Sequence, residues 1–129
     1  MRLYLLLVVI LFGCAAKKKT PAEMIIGSWK YANAERLGDH QKNDPQSMEE
    51  YNKSYEGKML IFNKDNTYIQ RQKTATIDTV LVTGRYKISE DGKSILLERA
   101  VTMKIDLTDT VFKVHTPDNG VFVWRKMDE

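Results

Sequence analysis

From Lys58 to Lys126 the chain is a succession of short segments rich in β-branched and aromatic residues, each followed by a cluster of turn formers. Parallel neighbours need a crossover of about a dozen residues or more, so links this short force antiparallel pairing. The segments are Met59–Asn63, Thr67–Gln72, Thr79–Ile88, Ser94–Glu98, Val101–Leu107, Thr110–Thr116 and Val121–Lys126. In the fifth, Val101, Met103, Ile105 and Leu107 alternate with polar residues, the mark of a strand with one dry face and one wet face. Asp91-Gly92 and Asn119-Gly120 are hairpin signals, and Asn-Gly supplies the positive φ angles of a tight turn. With a first strand at Ser28–Ala32 around Trp29 and Tyr31, the count is about eight. A closed up-and-down barrel and an open sandwich both accommodate that pattern. The barrel is the expected one, an all-β, eight-stranded antiparallel fold, because closing the first strand on the last removes two unpaired edges.

The remaining segments frame this sheet. Pro21–Ile26 predicts one helical turn with proline at its first position, ending at Gly27. Residues 36–44 are polar and without period, and read as a loop. Beyond it Ser47, with Glu50 three residues on, forms a capping box, and Met48, Tyr51 and Tyr55 recur at helical spacing until Gly57. A short amphipathic helix is therefore expected within the long first connection. Inward-facing candidates on the strands are Leu60, Phe62, Tyr68, Val82, Tyr86, Ile88, Ile95, Leu97, Val101, Met103, Ile105, Phe112, Val114, Phe122 and Trp124. That set is bulky, so any cavity should be small and near one mouth, and a fully packed interior is an equal alternative.

The amino terminus is of another kind. Met1-Arg2 is followed by an apolar run from Leu3 to Phe12 and then by Gly13-Cys14-Ala15-Ala16. A cationic start, a short apolar stretch and small residues describe a secretory signal, since a membrane span needs roughly twenty apolar residues. Leu11-Phe12-Gly13-Cys14 resembles the lipobox of bacterial lipoproteins, with Phe12 bulkier than that pattern usually carries. The resemblance implies cleavage after residue 13 and acylation of Cys14. As the chain's single cysteine, Cys14 has no partner for an internal disulfide in an exported protein, which leaves its thiol for another use. Two or more acyl chains give stable attachment without a span. Loss of the signal leaves 19 basic against 17 acidic side chains, a nearly neutral balance of +2. Residues 14–22 read as a lipidated tether, whose Lys17-Lys18-Lys19 either meets anionic head groups or is simply solvated. With no acidic run after Cys14, a periplasm-facing envelope location is expected.

Ile26-Gly27-Ser28-Trp29-Lys30 looks like the Gly-x-Trp opening of lipocalins, and residues 23–127 resemble the shorter lipocalin-like domains of bacterial lipoproteins. Those domains carry a Phe-x-x-Asp-x-Thr-Tyr-like hairpin, matched here by Phe62, Asp65, Thr67 and Tyr68, with Asn66 in place of the usual glycine. Their Gly-x-Tyr-x-Ile strand is matched by Gly84, Tyr86 and Ile88, and Leu107-Thr108-Asp109-Thr110 is similar to their Thr-Asp-Tyr turn. The resemblance implies a barrel closed by a basic residue on the last strand lying over the first-strand indole, here Arg125 on Trp29. It also implies a ligand pocket, for which Met48, Tyr51, Tyr55, Phe62, Tyr68, Tyr86, Met103 and Phe112 are candidates, with the first three over the open end.

Other chemistries find little support. His40 and His115, the two histidines, have no second strong ligand at metal spacing, so no metal or cofactor is expected. No nucleophile elbow, phosphate loop or dinucleotide fingerprint occurs, and no basic stripe interleaved with aromatics suggests nucleic acid. Arg71, Lys73 and Lys87 read as the wet face of their strands. The expected function is non-enzymatic: a membrane-tethered domain binding a small apolar or amphipathic molecule. The alternative is a ligand-free module contacting an envelope protein.

Overall fold

The computed structural model describes residues 18–98 and 102–128, so Cys14, the signal at residues 1–13 and Val101 lie outside the described residues. Eight antiparallel strands close into a barrel in sequence order. They are β1 Gly27–Arg36, β2 Lys58–Phe62, β3 Thr67–Lys73, β4 Asp78–Ile88, β5 Ser94–Leu97, β6 Thr102–Leu107, β7 Val111–His115 and β8 Val121–Lys126. A short helix α1, Pro21–Ile25, precedes β1, and α2, Pro45–Ser54, lies in the β1–β2 connection. Among the described residues no helix is long and apolar enough to cross a membrane.

The hairpin turns at one end of the barrel share a construction. Asn66, with φ +66°, and Gly92, with φ +70°, each donate their amide to the carbonyl three residues back, at Asn63 and Ser89. The β7–β8 turn at the other end repeats it, with Asn119 at φ +68° bonded to Thr116 O. In each case a type I turn is followed by one left-handed residue. The expectation that both Asn119 and Gly120 take positive φ is therefore corrected: only Asn119 does, because Pro117 sets the φ of a type I turn one residue earlier.

The seam between β1 and β8 runs from Trp29 opposite Lys126 to Arg36 opposite Val121, with two register shifts. Strand β1 continues to Arg36, four residues past the expected Ala32, since pairing with β8 supplies ladder bonds that local propensity does not. Trp29 is fully buried at the α1 end, its indole N–H donating to Ile25 O at 2.8 Å and its ring 5.7 Å from Phe112. The cation over it is Lys126, with Nζ 4.7 Å from the ring and bonded to Met24 O at 3.1 Å and to Ile26 O. Arg125 is exposed and pairs across from Lys30, so the expected Trp29–Arg125 closure is corrected by one residue. The reason is the period of two: Trp124 points inward, and Lys126 shares its face while Arg125 does not.

The interior joins Ile25, Trp29, Tyr31, Leu60, Phe62, Tyr68, Tyr86, Ile95, Ile105, Phe112, Val114 and Trp124 in one buried cluster. Val82, expected inward, is exposed. Strand β4 outruns the four-residue β5, pairing with it only at Tyr86–Ile88, and a bulge opposite Gln70 and Arg71 turns its upper half. Ile77 (42%), Val80 (55%), Leu81 (42%), Val82 (37%) and, on β5, Leu96 (44%) are the exposed large apolar side chains among the described residues.

Candidate ligand cavity under the α2 helix

Asp44 caps α2: its carboxylate accepts from Ser47 N at 2.7 Å, and Pro45 occupies the first turn. The cap thus falls three residues before the expected Ser47, because an aspartate followed by proline is a stronger start than a serine already inside the turn. Hydrogen bonding to Ser47 holds the Asp44 carboxyl below its usual range. Asn52 fastens the helix to the wall, its side-chain oxygen accepting from Tyr31 OH at 2.8 Å and from Ala34 N at 3.0 Å. At the far end Gln72 donates to Ser54 O and Glu56 O, and Gly57, φ +78°, leaves no room for a side chain against Lys73 O.

Tyr51 and Tyr55 stack at 4.5 Å, Tyr51 stacks on Phe122 at 5.2 Å, and Tyr55 and Trp124 both meet Tyr31. This aromatic chain roofs a cavity of about 210 Å³, whose wall includes Leu60, Phe62, Leu97, Met103, Phe112, Val114 and Trp124. Five lining side chains carry polar atoms: Tyr51, Tyr55, Gln70, Thr116 and Trp124, the last a donor only. Of the sequence-derived pocket candidates, Tyr51, Tyr55, Phe62, Met103 and Phe112 come together here. The other three do not. Met48 lies in an outer groove between α2 and β1, one helical face away. Tyr68 and Tyr86 are buried in the packed part of the barrel, where their hydroxyls donate to Glu98 O at 3.3 Å and Asn63 O at 2.9 Å. Gln70 and Thr116 escape a search for apolar residues. The alternation Tyr68-Ile69-Gln70 is the signal that places Gln70 on the inner face.

Burial, and then the neighbouring Tyr55, push the Tyr31 phenol far above its ordinary pKa; Tyr51 rises for the same first reason, reinforced by its bond with Tyr55. Both are neutral donors at any physiological pH. The sign of the pH effect follows: a raised folded pKa favours the protonated form, so this stability is complete below pH about 10 and is lost above it, where the unfolded chain ionises. A denaturation midpoint measured in urea is expected to stay level from pH 7 to 9 and to fall steeply above about 10.

Asn52→Ala is expected to cost about 2 to 3 kcal/mol in urea unfolding, because it strands the Tyr31 hydroxyl and the Ala34 amide together. Faster amide exchange is expected at Ala34 and across residues 45–54.

Among the described residues no group of three or more His, Cys, Asp or Glu side chains could hold a metal ion. His115 instead pairs with Asp106 at 2.8 Å on the partly exposed wall. No protein-family model matches the chain. No curated protein is significantly similar to it in sequence.

Proposed function

We propose that the protein is a non-enzymatic, lipocalin-like binding domain, tethered to the periplasmic face of a bacterial membrane through acylated Cys14, that holds one small apolar or amphipathic molecule. The cavity beneath α2 carries this reading. It has an apolar wall, is lined by Tyr51 of a helix fastened by Asn52, and carries few polar groups, the profile of a small-molecule site. At about 210 Å³ it is smaller than drug-sized pockets of roughly 300 to 1,000 Å³, which restricts the ligand to a compact molecule. The attachment rests on the signal-like residues 1–13 and the lipobox-like Leu11–Cys14.

Native mass spectrometry of the full chain purified from its own host tests both parts. A copurifying small molecule and a mass matching Cys14 with two or three acyl chains are expected. An unmodified cysteine ends the tether, and a ligand-free chain that also takes up no added hydrophobe ends the binding role.

A second reading, a ligand-free module contacting an envelope protein, is favoured by one observation. On β4 the consecutive Val80, Leu81 and Val82 are all exposed, more aliphatic surface in one stretch than an isolated surface residue leaves.

A further inference from the structure

Three of the five polar side chains around the cavity have partners. The Thr116 hydroxyl donates to Asp118 Oδ1 at 2.5 Å and accepts from Gly120 N at 2.9 Å, and the Tyr51 and Tyr55 side chains are hydrogen-bonded to each other; of the other two, the Trp124 indole offers a single donor. Gln70 differs. Its neighbours across the sheet on the same face are Leu60 and Val82, which offer no polar group. Among the described residues its carboxamide has no hydrogen-bond partner, although it lines the cavity. A carboxamide carries two donors and an acceptor, and one facing apolar neighbours is satisfied only by a ligand or a water.

We propose that Gln70 is the specificity-determining residue of this cavity, and that its ligand is an uncharged molecule bearing a hydroxyl, carbonyl or carboxamide beside an apolar body. The inference rests on the cavity being a binding site, as proposed above.

The lining itself argues against charge, since no ionisable group other than the Tyr51 and Tyr55 phenols occurs in it. A buried carboxylate would have to shed its water with no cation in reach. The rim does not reverse this. Lys58 holds its ammonium 3.5 Å from the centre of the Tyr55 ring, already engaged, and on the other side Asp118 stands bonded to Thr116. A neutral head, by contrast, can exchange both a donated and an accepted bond with the Gln70 amide.

The test uses the full chain held in phosphatidylcholine nanodiscs, with empty nanodiscs subtracted, and the neutral fluorophore N-phenyl-1-naphthylamine as reporter. Octan-1-ol and octanoate, which share one apolar tail, compete at pH 8. Octanol is expected to displace the reporter at a concentration about tenfold or more lower than octanoate, the worth of one well-made polar contact. Gln70→Leu should collapse that ratio toward one. Gln70→Glu, nearly the same shape, guards against a folding artefact, and should drive octanoate affinity down further while octanol still competes. Equal or tighter octanoate binding, or a ratio indifferent to Gln70→Leu, overturns this assignment and leaves the cavity reading intact. Failure of the reporter to bind at all overturns both.

Discussion

Replacing Trp29 by alanine is expected to lower the unfolding free energy by about 3 to 5 kcal/mol, the range for deleting a fully buried large aromatic. Three things fail together at that position. The indole leaves a void beside Phe112, Ile25 O loses the donor that ties α1 to β1, and Lys126 loses the ring it lies on. A domain of this size is held by about 5 to 15 kcal/mol in all, so the variant should be marginal at 37 °C. Trp29→Phe keeps the ring face but not the N–H, and should recover most of the packing while sparing only part of the loss. Urea denaturation of both variants, followed by far-UV circular dichroism, measures the difference. A loss under about 1 kcal/mol for Trp29→Ala would mean that the α1 end contributes little to holding the barrel together.

The second large effect concerns binding. Met103 lies on the inner face of β6 and lines the cavity, so Met103→Trp puts an indole into space that a ligand would occupy. Added bulk in a filled core costs about 1 to 3 kcal/mol, but here the void absorbs most of it. The expected outcome is a melting temperature close to wild type and an affinity for N-phenyl-1-naphthylamine weakened about thirtyfold or more, roughly 2 kcal/mol. Fluorescence titration in nanodiscs reads the affinity. Unchanged binding would place the reporter elsewhere and remove the main support for the cavity.

Much of the barrel is legible from residue order. Strand β8 falls on Val121–Lys126 as expected, and most other strands start and end within a residue of their expected limits, because alternation and turn chemistry agree along them. Where local and tertiary demands part, residue order misleads. Residues 33–36 carry little strand propensity of their own and become strand by pairing with β8. The cation over Trp29 sits one position later than expected, since its place depends on which face β8 turns inward, and that is decided by Trp124. Val82 looks like core because it is apolar and in a strand, yet burial depends on a neighbour, and β5 is too short to supply one beside it. The cavity is harder still. Its aromatic members stand out as bulky strand residues, but no local pattern says that Tyr68 packs into the wall while Tyr51 roofs a space. Gln70 shows what apolarity alone conceals: a polar side chain on the inner face of a strand, lining the cavity.

The β1–β8 seam has a consequence for how the molecule comes into being. Every other pairing joins strands adjacent along the chain, whereas this one waits for the last strand to be synthesised before Trp29 can meet Lys126. A nascent chain stopped before Val121 is an open curl with two sticky margins and an uncovered indole. Completion of the ring is thus a late, long-range event. Any factor that guards the emerging polypeptide has to protect its earliest strand until its latest one arrives.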